Sequence, residues 1–198
     1  MMHTVVTGAA GFIGSRLIVA LNQAGITDIL AVDDLESSAK AKNLFGVEIA
    51  DYLDKREFLA QLETGRLDDS IDAIMHLGAC SDTMESDGRY MMENNYAYSK
   101  VVFDWCQDQE VSLIYASSAA VYGPGREFGE ARENEDPLNV YAYSKSSSTS
   151  TCASASTNAA RRSRDCGTST SMGRMNRTRG AWPRWPCTPS TSSRPRAA

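Results

Sequence analysis

Gly8-Ala-Ala-Gly11-Phe-Ile-Gly14 lies between a β-rich run, His3-Thr-Val-Val-Thr7, and a segment in which Ile13, Leu17, Leu21 and Ala24 recur at helical spacing up to Gly25. A strand that breaks on glycine and feeds directly into a helix has the form of a dinucleotide-binding βα turn. Gly8 permits the tight turn, Gly11 lets the backbone approach a pyrophosphate, and Gly14 allows close helix–strand packing. The helix N-terminus then offers free N–H groups and a positive dipole end to phosphates.

The same alternation continues outward from this turn. Asp28–Val32, ending in Asp33-Asp34, reads as a second strand, and Val47–Ala50 as a third. Lys55–Leu62 reads as a helix, Ala73–Leu77 as a fourth strand, Asn94–Gln107 as a long helix and Ser112–Ala116 as a fifth strand. Gly123–Leu138, rich in Gly, Glu and Pro, is expected to be a loop leading into a helix that carries Tyr141. The fold class expected is α/β, a Rossmann-type doubly wound parallel sheet with helices on both faces.

The net charge of −5 over 198 residues conceals a split. Through Lys145 there are 11 Lys+Arg against 24 Asp+Glu; from Ser146 onward there are nine Arg, no Lys and the single acid Asp165. An acidic globular part argues against nucleic-acid binding, and the arginines of the basic part are scattered among Ser, Thr and Pro without a motif. Five cysteines without a CxxC pair argue against a metal site or a disulfide framework, and Cys80 and Cys106 are expected to be small buried residues. No segment reaches the apolar length of a membrane span, and the chain begins directly on a strand, so a cytoplasmic location is expected.

Asp33 stands 19 residues after Gly14 at the end of the second strand, where an acid ordinarily binds the adenosine ribose hydroxyls. That favours NAD. Lys40 and Lys55 follow, and either could neutralise the 2′-phosphate of NADP, so the residues themselves leave the choice open. Ser117-Ser118 emerges from the fifth strand at the carboxyl end of the sheet, where open α/β sheets bind ligands. Tyr141-Ala-Tyr-Ser-Lys145 then places a phenol and an ammonium on one face of a helix. A lysine and an oxidised nicotinamide would stabilise the phenolate, and Ser118 could hydrogen-bond the reacting oxygen, an arrangement suited to alcohol–ketone interconversion by hydride transfer.

The GxxGxxG spacing, with Ser118, Tyr141 and Lys145, resembles the extended short-chain dehydrogenase/reductases that act on nucleotide sugars. Within them, several longer strings are similar to the ADP-L-glycero-D-manno-heptose 6-epimerase family: His76-Leu-Gly-Ala-Cys-Ser81, Tyr90-Met-Met-Glu-Asn-Asn-Tyr-Ala-Tyr-Ser-Lys100 and Pro137-Leu-Asn-Val-Tyr-Ala-Tyr-Ser-Lys145. The resemblance runs nearly continuously from Met2 to Lys145. Sugar-nucleotide dehydratases carry Asp-Glu after the catalytic hydroxyl residue, where this chain has Ala119-Ala120.

The resemblance implies a cytoplasmic, homo-oligomeric isomerase of lipopolysaccharide core synthesis that uses NADP. It inverts C6 of ADP-D-glycero-D-manno-heptose through a keto intermediate. It also implies that Phe12, Ile13, Asp33, Asp34, Lys40, Lys55, Leu77, Gly78, Ala79, Cys80, Ser81 and Asn94 contact the cofactor, with Ser118, Tyr141 and Lys145 serving hydride transfer and substrate binding. Asp34 departs from the Asn that the family pattern has there.

After Lys145 the character of the sequence changes. Ser146–Ala198 holds 20 Ser+Thr and no Leu, Ile, Val, Phe or Tyr. Ser146-Ser-Ser-Thr-Ser-Thr-Cys152 fits codons which, read one base earlier, give Phe-Leu-Phe-Asp-Gln-Tyr-Val, an amphipathic continuation of the helix. Ser171-Met-Gly-Arg-Met-Asn176 likewise yields Val-Tyr-Gly-Pro-His-Glu, and Gly180-Ala-Trp-Pro-Arg-Trp-Pro186 yields Gly-Arg-Met-Ala-Ser-Val-Ala, both similar to family segments in their order. These readings imply a frameshift. They divide the chain into a dinucleotide-binding domain, 1–145, and an aberrant tail, 146–198, expected to be disordered and to lack the substrate domain, the sheet's sixth strand and the family's second acid/base lysine.

Overall fold

β1 (His3–Thr7) ends at Gly8, whose φ of 68° turns the chain into α1 (Phe12–Gln23). A computed structural model describes residues 3–164 other than Ser37, Asp68, Asp69, Arg126, Glu127 and Glu130, with the backbone alone over 154–164. β2 (Ile29–Asp33), α2 (Ser38–Ala41), β3 (Asp51–Asp54) and α3 (Lys55–Thr64) follow. The chain then forms β4 (Ile71–His76), α4 (Gly88–Met91), α5 (Tyr98–Asp108), β5 (Ser112–Tyr115) and α6 (Val140–Arg164). The strands make one sheet in the order β3-β2-β1-β4-β5, with every adjacent pair parallel. The expected Rossmann-type α/β architecture is present.

Two cores result from strand alternation, which sends successive side chains to opposite faces of the sheet. Val5, Val32 and Ile74 join Phe58 and Leu62 of α3 and Val102, Trp105 and Cys106 of α5 on one face. Val6, Ile29 and Ala31 meet Ile18 and Leu21 of α1 on the other. Parallel strands covered on both sides are buried at nearly every position, as β1 and β2 are. At β5 the cover is one-sided: Leu113 packs against the α3–α5 core, but Ile114 is 58% exposed.

The third strand falls at Asp51–Asp54, not at Val47–Ala50. Val47 and Ile49 pack half-buried against the α1-side core, but the backbone of Glu48 is held by the Asn22 side chain, which accepts from Glu48 N at 2.8 Å and donates to its carbonyl at 2.9 Å. Those groups are withdrawn from the ladder, so pairing with β2 begins at Leu30 with Asp51. Asp54 then caps α3 by accepting from Arg56 N, turning strand directly into helix.

The long helical run begins at Gly88 instead of Asn94, because the Asp87 carboxylate caps the N–H groups of Arg89 and Tyr90 at 3.0 Å. A π turn over Met92–Ala97 interrupts it before α5.

The boundary expected after Lys145 falls inside α6, which continues to Arg164. Its docking face has no Leu or Phe; Ala142, Ser144, Lys145 and Ser148 are buried instead. Hydroxyls from Ser148 to Thr151 donate to the carbonyls four residues back, at 2.8–3.2 Å, so the small polar side chains satisfy themselves on their own helix. The sixth strand and the rest of the tail lie outside the described residues.

Candidate active site

The glycine turn is packed backbone against backbone. A Cβ on Gly14 would lie 2.0 Å from the Gly8 carbonyl oxygen, and a Cβ on Gly8 would lie 2.8 Å from Gly78 N. Gly11 caps α1 without any side-chain hydrogen bond, so the first N–H groups of this 12-residue helix are left for a ligand. Phe12 and Ile13 stand 77% and 64% exposed beside them. These features fit a dinucleotide pyrophosphate: a loop too tight for side chains, followed by an uncapped helix start flanked by apolar surface.

Asp33 is 7% exposed and already engaged. Its Oδ2 accepts from Ala10 N at 2.8 Å and its Oδ1 from Asp34 N at 2.7 Å, tying the end of β2 to the glycine turn. Lys40 bridges Asp33 at 3.1 Å and Asp34 at 2.6 Å, while Lys55 bridges the other Asp34 oxygen at 2.5 Å and donates to Asn94 Oδ1 at 3.1 Å. Burial tends to raise the Asp34 pKa, but hydrogen bonds and charge from the two lysines outweigh it and hold the carboxyl below 3.8. The pKa of Lys40 is raised despite its partial burial, because both aspartates favour its ammonium form.

Leu77 to Cys80 extend half-buried from β4 across the glycine turn, and Ser81 is exposed. Leu77 N donates to the Thr7 carbonyl at 3.2 Å and Gly78 N to Thr7 Oγ1 at 3.0 Å. Cys80 is half-buried, not buried as expected, with its thiol toward the Tyr90 phenol; Cys106 is buried, which pushes its thiol up to about 12.

Lys145 is 6% exposed and donates from Nζ to the Ala116 carbonyl at 3.1 Å, placing its charge at the carboxyl end of β5. Burial lowers its pKa from 10.5. Ser118 follows two residues after Ala116; its Oγ accepts from Ala120 N at 3.2 Å, leaving its proton to donate. Tyr141 is half-buried at the start of α6, and among the described residues its phenol has no hydrogen-bond partner. Ala119-Ala120 begins the 3₁₀ turn after Ser118, so no acid occupies those positions.

Two buried groups escaped the sequence reading. Asn95, 1% exposed, accepts from Cys80 N at 2.8 Å and donates to the Cys80 carbonyl at 2.9 Å and to Ser144 Oγ at 3.1 Å. Ser144 Oγ in turn donates to the Tyr141 carbonyl at 2.7 Å, so one amide joins the β4 loop to the helix bearing Tyr141 and Lys145. The available signal was a polar residue on the apolar stripe Met91, Asn95, Tyr98, Val102. His76 sits between Thr7 Oγ1 (2.7 Å) and Ser99 Oγ (2.8 Å) and stacks on Tyr98. Burial, then the charge of Lys145, pushes its pKa down to about 3, so it is neutral.

A parallel α/β sheet with a glycine-lined βα turn and a Tyr/Lys helix at its carboxyl edge defines a nicotinamide-dinucleotide enzyme class. Residues 4–167 match the NAD dependent epimerase/dehydratase family, and the chain belongs to it. Over 143 residues it is 62% identical to the ADP-L-glycero-D-manno-heptose-6-epimerase of Thiobacillus denitrificans, covering 72% of this chain and 43% of that protein. The crystal structure of the ADP-L-glycero-D-manno-heptose-6-epimerase of Helicobacter pylori is similar at a TM-score of 0.69 and 27% identity, over 78% of this chain and 51% of that one. UDP-glucuronic acid 4-epimerase from Bacillus cereus, solved in complex with NAD, aligns at a TM-score of 0.66 and 25% identity, over 79% and 53% of the two chains. The chain thus spans about half the length of these relatives.

Proposed function

We propose that this chain carries the cofactor-binding half of a nucleotide-sugar epimerase. The reaction of the full-length form is inversion at C6 of ADP-D-glycero-D-manno-heptose to ADP-L-glycero-D-manno-heptose. The observation that carries this reading is the 62% identity to the Thiobacillus denitrificans epimerase. The absence of an acid at Ala119-Ala120 favours epimerisation over elimination of water.

Gly8, Gly11, Gly14 and the N-terminus of α1 would hold the pyrophosphate, with Phe12 and Ile13 beside it and Leu77 to Ser81 lining the far side. Asp33, Asp34, Lys40, Lys55 and Asn94 would surround the adenosine ribose, and the two lysines support NADP, with NAD as the alternative. When bound, the nicotinamide supplies reversible hydride acceptance. The chain's own task is proton transfer at the reacting oxygen: the Tyr141 phenol takes and returns the hydroxyl proton, Ser118 donates to the same oxygen, and the Lys145 charge favours the phenolate.

We further propose that 146–198 is read in a shifted frame and that this polypeptide binds dinucleotide without turning over substrate. Those 53 residues hold no lysine that could serve as a second acid/base. A non-catalytic NAD(P)-binding fragment of cytoplasmic location, without the family's homo-oligomeric assembly, is therefore the second reading. Among the described residues no helix is long and apolar enough to cross a membrane.

The test compares this chain with one carrying a single-base correction at codon 146. The corrected protein is expected to epimerise ADP-D-glycero-D-manno-heptose, and the present chain to bind NADP in titration calorimetry without turnover. Activity of the corrected protein on a different nucleotide sugar alone would overturn the substrate assignment. A nucleotide sequence in which no single-base change restores the family pattern would overturn the frameshift.

A further inference from the structure

The two edges of the sheet differ in chemistry. β3, at one end, carries Asp51 and Asp54, acids that discourage another strand from pairing there. β5, at the other, reads Ser112-Leu-Ile-Tyr115 and runs on into Ala116, with no charge and no proline. Its inner side is fixed by β4: Ile114 is in register with Met75, and Ala116 N donates to the His76 carbonyl at 3.0 Å. Backbone polar groups alternate sides along a strand, so Ser112, Ile114 and Ala116 turn theirs toward β4. The N–H and C=O groups of Leu113 and Tyr115 therefore point outward, and among the described residues no strand pairs with them. Leu113 packs against the α3–α5 core and the Tyr115 phenol meets Thr149 of α6, which anchors both side chains on that face. Ile114 lies on the opposite face, 58% exposed, next to half-buried Met75.

We propose that the outer edge of β5 is a self-association surface that takes β5 of a second copy of this chain, antiparallel about a two-fold axis. In the register that sets Ile114 against its counterpart, Leu113 of each copy exchanges backbone hydrogen bonds with Tyr115 of the other. Ile114 then meets Ile114 as a non-hydrogen-bonded pair, the closer of the two antiparallel spacings, with only the small side chains of Ser112 and Ala116 beside it on that face. The edge is thus complementary to itself. Residues 146–198 contain no Leu, Ile, Val, Phe or Tyr, so they supply no apolar strand to match it. Pairing over so few residues buries little surface, so the dimer forms at high protein concentration and is dissociated at low micromolar.

Sedimentation equilibrium of the full chain, from low micromolar to near-millimolar concentration, is expected to show monomers passing into dimers. Ile114→Lys sets two like charges face to face and is expected to weaken the dimer about tenfold, with a native circular dichroism spectrum because the position is exposed. Ile114→Cys tests the register even if the lysine variant does not fold. With oxidised glutathione, the two introduced thiols pass two protons and two electrons to the glutathione disulfide and join across the axis, a spacing within disulfide reach. Peptide mapping is expected to recover the link between the two 114 positions. Phe45→Cys, exposed elsewhere on the surface, is expected to give far less link at 45. A chain that stays monomeric throughout, its edge bare or covered by a different strand, overturns the proposal. So does undiminished dimerisation of folded Ile114→Lys, or a yield of link at 114 no greater than that at 45. Leu113, Ile114 and Tyr115 are not residues of the proposed dinucleotide site, so failure of NADP binding leaves this outcome untouched.

Discussion

Asn95 shows how much a single buried amide can organise. It binds both the N–H and the carbonyl of Cys80 and reaches Ser144, which holds the Tyr141 carbonyl. Asn95→Ala leaves these groups unpaired at a cost of about 1–3 kcal/mol each. Urea unfolding should show that loss, with Asn95→Asp recovering only part of it because the donor to the Cys80 carbonyl and to Ser144 is gone. His76 makes a pH prediction. Its pKa of about 3 in the fold lies below the 6.5 of an unfolded histidine, so the unfolded chain takes up the proton first. Stability is therefore expected to fall as pH drops from 6.5 toward 3, by about 1.4 kcal/mol per pH unit. Between pH 6.5 and 5 the unfolding free energy of His76→Gln, read by urea titration, should fall about 1.6 kcal/mol less than that of the parent. Asp34, held below 3.8, does not titrate in that interval.

At the scale of elements, α1 is positioned by the absence of side chains at its start. Gly14→Ala would drive a methyl to 2.0 Å from the Gly8 carbonyl, so the helix must lift from β1. The expected outcome is a loss of more than about 3 kcal/mol, read by denaturation, together with loss of dinucleotide binding. β5 gives the opposite expectation. Ile114 is 58% exposed at the sheet edge, so Ile114→Thr should shift stability by no more than about 0.5 kcal/mol. A larger loss would mean that this face of β5 is covered. α6 is the element whose packing departs most from sequence expectation. A helix bearing Ser and Thr where a Leu/Phe face was missing still docks, because the buried Ser148 hydroxyl bonds its own backbone and Thr149 and Thr151 also reach Ser117 and Tyr96.

For the whole molecule, the two halves of the site differ in what they need. The proposed cofactor half draws on β1, α1, β2 and the loop after β4, all within the described residues, and dinucleotide titration is expected to find it functional in this chain. The proposed catalytic half calls for a second acid/base, for which 146–198 holds no lysine, so under that proposal turnover is expected only after frame correction. Much of this was legible in the sequence, because it rests on local chemistry. Glycines at 8, 11 and 14 compel a tight turn, a continuous apolar run such as Ile29–Val32 marks a strand buried on both faces, and Tyr141 and Lys145 share a helical face through spacing alone. Tertiary structure decided the rest. Asn22 moved the third strand to Asp51 by capturing the backbone of Glu48, and Asn95 became a clasp only because the β4 loop and α6 converge on it. Asp34 came between Lys40, six residues on, and Lys55 because the pairing of β2 with β3 sets the start of α3 beside the end of β2. Such contacts depend on which groups long-range folding leaves facing one another, and spacing along the chain does not encode that.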